Sequence, residues 1–211
     1  MSTIAMRLAP ARSTAVARTT FSVACAVAGS LLVAGLAQIS FTLPFTPVPI
    51  TGQTLGVLLV GAAYGPGLGA ATLGLYLAWA VGGGAVVGPP VRAPAPDGSH
   101  RSGYEVLQLA SATGGYLWGF VAAGALTGWL ASRGWDRSLR SSISAMLLGS
   151  ILIYAAGVPW LMAAVDVPLQ QGLELGLYPF VIGDTLKLLA AAGLLPVAWS
   201  ALRRLRPGVE D

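Results

Sequence analysis

No Asp, Glu, Lys or Arg occurs between Thr19 and Val91, a stretch of 73 residues. A water-soluble domain carries roughly 25% charged residues, whereas this chain carries 9% over its 211 residues. Because one membrane-spanning helix needs about 20 largely apolar residues, the uncharged stretch has room for three. The sequence therefore predicts an all-α integral membrane protein.

Apolar segments separated by proline, glycine and charged residues predict a bundle of about six transmembrane helices. Pro44, Pro47 and Pro49 end the first segment, because proline lacks a backbone donor and blocks helix continuation. The predicted spans are residues 21–41, 52–63, 68–87, 113–131, 143–165 and 178–202. We therefore interpret 21–202 as one membrane domain between cytoplasmic tails at 1–20 and 203–211, with 88–108 as its longest loop.

The arginines predict the orientation of the bundle. With both termini inside, only Arg92 and Arg101 lie on external segments. The nine on cytoplasmic segments are Arg7, Arg12, Arg18, Arg133, Arg137, Arg140, Arg203, Arg204 and Arg206. Cytoplasmic segments of membrane proteins carry such an excess. The pattern predicts a multi-pass plasma-membrane protein with both termini in the cytoplasm, and it explains the net charge of +4 without nucleic-acid binding.

Asp184 and Lys187 are the acid and the base inside a predicted span. A charge at the bilayer centre costs about 2.5–3.5 kcal/mol, so such residues usually face a cavity or one another. Their i, i+3 spacing places both on one helical face. If the helix starts at Pro179, Asp184 lies roughly 8 Å from its outer end. The pair predicts either a polar site open to the outside or a neutralising pair that fastens the sixth helix to its neighbours.

Several enzyme classes are excluded by missing residues. The sole lysine, Lys187, is followed by Leu188, so the chain lacks a phosphate-binding P-loop. The sole histidine, His100, lies in a predicted loop, and neither a serine–histidine pair nor a histidine–carboxylate metal cluster is apparent. We therefore expect no enzyme activity, no metal and no cofactor.

Four sequence strings resemble one known family. They are PVPITGQTL at 47–55, TGGYLWGF at 113–120, YAAGVPW at 154–160 and PFVIGDTLK at 179–187. Together, and in this order, they resemble the BioY family, the biotin-binding membrane subunits (S components) of energy-coupling factor (ECF) transporters. The chain departs from the family's usual pattern at Gly52, often a leucine, and in the 88–108 loop, which carries prolines where relatives have a glycine-rich stretch.

The resemblance implies a six-helix subunit that captures biotin from outside and delivers it inward with a transmembrane coupling protein and two cytoplasmic ATPases. Asp184 and Lys187 match an acid and a lysine, three residues apart, that belong to the family's ligand site. The further ligand-binding residues that we expect are Thr51, Gln53, Thr113, Gly115, Tyr116 and Trp160. Ala24 and Ala28 match an Ala-x-x-x-Ala pattern by which a first helix docks the coupling protein.

Alternatives stay open at this point. The chain is alternatively an ion-coupled secondary carrier for biotin or another small vitamin, with Asp184 as proton acceptor, or a structural subunit. Thr51 also suits a helix cap. Tyr116 and Trp160 also suit core packing or anchoring at the membrane interface, and Gly115 suits close backbone approach.

Overall fold

The computed structural model describes residues 3–9, 14–81 and 111–205, and most of these residues are helical. The helices are α1 (Ile4–Leu8), α2 (Ala15–Ala37), α3 (Gln53–Tyr64), α4 (Pro66–Val81), α5 (Gly114–Ser132), α6 (Leu139–Val165), α7 (Leu169–Gly176) and α8 (Val181–Leu205). Two-residue strands β1 (Ser40–Phe41) and β2 (Ile50–Thr51) pair antiparallel. A 3₁₀ turn, Tyr178–Phe180, precedes α8. The predicted 88–108 loop lies outside the described residues.

Each of the six predicted spans corresponds to a helix: α2, α3, α4, α5, α6 and α8. By length and composition, three segments of the described residues are able to cross a membrane: Ala15–Ala37, Leu139–Val165 and Leu169–Arg204. The helices α3 and α4 are apolar but shorter. The prediction of a multi-pass helical membrane protein is confirmed.

Two helix starts differ from the predicted boundaries for local chemical reasons. The first long helix begins at Ala15 rather than at residue 21, because the Thr14 hydroxyl accepts the backbone N–H of Ala17 at 3.3 Å and caps the helix there. The next boundary, predicted at residue 68, lies at Pro66. Gly65 takes a positive φ of 84°, and proline suits the first helical position because its missing N–H needs no partner.

The sixth span differs most. Pro179 lies in the 3₁₀ turn, and α8 begins at Val181 with Asp184 in its first turn. Asp184 therefore lies nearer the first residue of the helix than a start at Pro179 implies. The short helix α7 was not predicted, and it packs against the end of α6.

Small residues bring the helix backbones into direct contact. A Cβ at Gly61 would lie 2.7 Å from the Gly124 Cα, and one at Gly128 would lie 2.6 Å from the Gly65 carbonyl oxygen. The helices α3, α4 and α6 all pack against α5, and α8 packs against α3 and α6. Such close approach is the usual basis of helix association in lipid.

One end of the bundle gathers the β1–β2 hairpin, the starts of α3, α5 and α8, the end of α6, and α7. The Thr46 hydroxyl donates to the Leu175 carbonyl at 2.6 Å and ties the hairpin to α7. In the orientation predicted from the arginines, this is the outer end. The polar side chains described next lie here.

Candidate functional site

Asp184 and Lys187 form an ion pair on α8. The Lys187 Nζ lies 2.6 Å from the Asp184 Oδ1, and their side chains are 18% and 11% exposed for Lys187 and Asp184 respectively. Their spacing of three residues places both on the inward face at the first turns of α8. The charges compensate one another in a largely buried position, which lowers the cost of placing them within the bundle.

Lys187 also joins α8 to the hairpin and to α3. Its Nζ donates to the Thr51 carbonyl at 2.6 Å and to the Thr54 Oγ1 at 3.3 Å, in addition to Asp184. An ammonium group has three protons. All three therefore have a partner within this cluster, and the contact with Thr54 is the longest.

The Asp184 carboxylate is held from three helices. Its Oδ1 accepts from Lys187 at 2.6 Å and from the Thr54 hydroxyl at 3.2 Å, and its Oδ2 accepts from the Tyr154 hydroxyl at 2.5 Å. The helix α8 carries the acid, α3 carries Thr54 and α6 carries Tyr154. A carboxylate offers about four lone-pair positions. Donors from the described residues occupy three of them, which leaves one position on Oδ2 for a further N–H or O–H.

Tyr116 supports Tyr154 rather than Asp184 itself. The two rings pack edge to face, with centroids 6.1 Å apart and an interplanar angle of 89°. The Tyr116 hydroxyl donates to the Gly176 carbonyl at the end of α7, at 2.8 Å, and Tyr116 is only 8% exposed. The ring therefore contributes an apolar wall beside the acid, and its polar tip is engaged elsewhere.

Thr51 and Gln53 shape the start of α3. The Thr51 hydroxyl donates to the Gln53 Oε1 at 3.0 Å and accepts the Gln53 backbone N–H at 3.3 Å. The Gln53 Nε2 donates to the Tyr76 hydroxyl on α4 at 2.6 Å. The N-cap position of α3 is Gly52, without a side-chain cap, so Thr51 does not cap the helix. Its hydroxyl contacts the first helical residue instead, and its backbone carbonyl reaches Lys187.

Thr113, Gly115 and Trp160 form a second group, where α5 meets α6. The Trp160 Nε1 donates to the Ser111 carbonyl at 2.9 Å, and the hydroxyls of Ser111 and Thr113 lie 3.1 Å apart. A Cβ at Gly115 would lie 2.7 Å from the Ala156 carbonyl oxygen. Gly115 therefore allows the close backbone approach expected of it. Within the described ranges, no hydrogen bond joins this group to Asp184 or Lys187.

Sequence reasoning missed Thr54 and Tyr154 as site residues. Both stand in the strings that carry the family resemblance, and a physical signal for them exists. A buried carboxylate needs several hydrogen-bond donors, and Tyr154 is a donor in the middle of the apolar helix α6. Its contact with Asp184, 30 residues further along the chain, depends on how α6 packs against α8.

The predicted docking residues Ala24 and Ala28 lie apart from this site, exposed on α2. Their role stays a prediction. In the part of the chain that the structure describes, no group of three or more His, Cys, Asp or Glu side chains is placed to hold a metal ion.

Comparison with known proteins places the chain in a family. The model of the BioY family matches residues 8–204. The biotin transporter BioY of Rhizobium etli is 30% identical over 158 residues, which cover 72% of this chain and 78% of that protein. The biotin transporter BioY of Thermotoga maritima is 31% identical over 151 residues, covering 72% and 80%.

A solved structure has the same fold. The crystal structure of the S-component for biotin from an ECF-type ABC transporter superposes with a TM-score of 0.72, at 24% identity, over 92% of this chain and 95% of that one. The family match covers almost the whole length of the chain. It agrees with the six predicted spans and with the acid–lysine pair at the start of α8. The chain belongs to the BioY family.

Proposed function

We propose that this chain takes up biotin as a membrane-embedded binding subunit that captures the vitamin from outside. The observation that carries the proposal is the Asp184 carboxylate, which is charge-compensated by Lys187 and fixed by three helices. The described part of the chain leaves one lone pair on its Oδ2 unused. Relatives named biotin transporters over about 72% of the chain support biotin as the ligand.

The chemistry of biotin suits this arrangement. Its ureido ring has two N–H donors and one carbonyl, its sulfur ring is apolar, and its tail ends in a carboxylate. The free position on Asp184 Oδ2 accepts one ureido N–H. Lys187 reaches a ligand acceptor by releasing Thr54, its longest contact at 3.3 Å. Binding pockets of this kind are mostly apolar with a few placed polar groups.

The second group of residues completes the proposed site. Thr113 offers a hydroxyl at the start of α5, and Trp160 and Tyr116 offer aromatic surface for the sulfur ring. Gln53 and Thr51 hold the start of α3 in the position from which Thr54 and the Thr51 carbonyl meet α8. Gly115 contributes by its small size, since it lets α5 and α6 approach.

We propose that a transmembrane coupling protein and cytoplasmic ATPases supply the energy for inward delivery. The sequence of this chain contains no P-loop of its own, which fits this division of labour. Ala24 and Ala28, exposed on α2, offer a small-residue surface on which a helix of the coupling protein packs closely.

Binding of radiolabelled biotin to the purified protein tests the proposal. Asp184→Asn and Lys187→Ala each raise the Kd by about 10- to 100-fold, the range expected for hydrogen bonds to charged groups. Glu174→Gln is a matched control, because it neutralises an exposed acid on α7 at the same end of the bundle. Unchanged affinity in both site variants would refute the site.

Uptake into vesicles separates the proposed mechanism from its alternatives. Vesicles that contain this protein alone should bind biotin without accumulating it. Accumulation that stops when the proton gradient is collapsed would favour the secondary carrier. Folded protein without any measurable ligand would favour a purely structural pair.

A further inference from the structure

Tyr154 holds the one oxygen of Asp184 that the other partners leave free. Lys187 and Thr54 both bind Oδ1, and among the described residues only Tyr154 donates to Oδ2. The O–H···O distance of 2.5 Å is that of a strong hydrogen bond to a charged acceptor. Tyr154 therefore controls the half of the carboxylate on which a ligand N–H would have to dock.

The geometry fixes the plane of the carboxylate. Donors on Oδ1 alone leave the group able to turn about its Cβ–Cγ bond, whereas donors on both oxygens, from α3 and α6, prevent the rotation. Tyr154 is itself fixed by its edge-to-face contact with Tyr116, and the Tyr116 hydroxyl is anchored on the Gly176 carbonyl at 2.8 Å. A chain of contacts thus runs from α7 through both tyrosines to the acid.

We infer that Tyr154 is a positioning residue that sets the preference of the site for an N–H donor. This inference rests on the proposed function and deepens it. By occupying one lone pair of Oδ2, Tyr154 leaves a single directed position for the ureido N–H of biotin. A ligand with an oxygen in place of that N–H presents a lone pair to the carboxylate and is repelled.

Tyr154→Phe tests the inference, because it removes the hydroxyl and retains the ring that packs on Tyr116. We expect a rise in the Kd for biotin of about tenfold, as for the loss of a hydrogen bond to a charged group. The specific readout is discrimination, which we define as a ratio of two Kd values. The numerator is the Kd for an analogue in which oxygen replaces one ureido N–H, and the denominator is the Kd for biotin. Both analogues, one for each ureido nitrogen, are measured by competition.

Discrimination should fall in Tyr154→Phe for the analogue altered at the nitrogen that faces Asp184. Tyr178→Phe is the matched control: it makes the same chemical change on a tyrosine that is 57% exposed, and both the Kd and the discrimination should equal those of the parent. Equal weakening of biotin and of both analogues would indicate a merely structural role for Tyr154 and overturn the inference. Unchanged values would overturn it too.

Failure of the inference is distinguishable from failure of the proposed function. If the parent protein does not bind biotin, the proposed function fails. If the parent binds and discrimination survives in Tyr154→Phe, only the inference fails. Should that variant not fold, Tyr116→Phe releases the anchor on Gly176 and should lower discrimination in the same direction by a smaller factor, and unchanged discrimination there overturns the inference.

Discussion

Two acids with little solvent exposure, Asp184 at the outer end and Asp136 at the opposite end, differ in how the surrounding chain holds them. Asp184 is 11% exposed and lies where three helices and the hairpin converge. Asp136 is 1% exposed, in the connection between α5 and α6, where its Oδ2 accepts the Trp199 indole N–H at 2.5 Å. Its Oδ1 has no hydrogen-bond partner within the described residues.

The two carboxylates differ in how far neighbouring groups compensate their negative charge. Lys187 compensates Asp184 directly at 2.6 Å. At Asp136, burial raises the pKa of the carboxyl above its ordinary value. Three effects lower that pKa but offset only part of the rise: the hydrogen bond from Trp199, a hydrogen bond from the backbone of Asp136 itself, and the charge of Arg137. The comparison is consistent with the proposed role of Asp184 in ligand binding, whereas Asp136 attaches the loop between α5 and α6 to α8.

The largest effect on stability should follow from breaking the charge compensation of Asp184. Lys187→Met leaves the acid buried without its cation, which costs about 3–5 kcal/mol of unfolding free energy when one partner of a buried pair is removed. The double variant Lys187→Met/Asp184→Leu should regain most of that stability without regaining biotin binding. Unfolding in detergent and biotin binding are measured on the same preparations.

The double variant also tests the structural interpretation of the pair. If it regained both stability and biotin affinity, the pair would only fasten α8, and the contrast with Asp136 would disappear. If Lys187→Met were as stable as the parent, the ion pair would not compensate the acid. Glu174→Gln on exposed α7 again controls for removal of a charge.

At the other end, Asp136→Ala should reduce stability and spare binding. The substitution leaves the buried Trp199 indole N–H without its acceptor, which costs about 1–3 kcal/mol. The Kd for biotin should equal that of the parent, because the two acids lie at opposite ends of the bundle. A Kd that rose with the loss of stability would show that the Asp136–Trp199 contact influences the proposed site at the other end of the bundle.

Sequence patterns predicted the parts of this molecule that depend on local composition. The apolar segments predicted the six helices α2, α3, α4, α5, α6 and α8. The spacing of Asp184 and Lys187 predicted that they lie on one face, close enough to pair. Helix ends were less predictable, because they depend on single contacts such as the Thr14 cap and the positive φ of Gly65. The short helix α7 has no counterpart in the six predicted spans.

Contacts between distant segments were not predictable in the same way. Tyr154 meets Asp184 across 30 residues, Lys187 meets the Thr51 carbonyl across 136, and Trp199 meets Asp136 across 63. No periodicity encodes these pairs, since each depends on how α8 packs against another part of the bundle: α6, the hairpin, or the connection between α5 and α6. The ligand roles of all the predicted site residues, Asp184 and Lys187 included, stay predictions that the binding experiments address.

The smallest effect concerns the pH dependence of stability, and it sharpens the contrast at Asp136. Burial raises the pKa of this carboxyl in the folded protein above its ordinary value of 3.8, so the folded state holds a proton that the unfolded state has released. The stability contributed by Asp136 is therefore greatest below pH 3.8, falls as the pH rises toward the folded pKa, and is constant above it.

Asp136→Asn keeps an acceptor for Trp199 and removes the titration. Its unfolding midpoint should therefore fall less than that of the parent as the pH is raised from about 4 to about 7. Glu174→Gln, which removes an exposed carboxylate instead, should follow the parent. Equal slopes for the parent and Asp136→Asn would mean that this buried carboxyl carries its charge in both states at no extra cost, and the two acids would then differ in access alone.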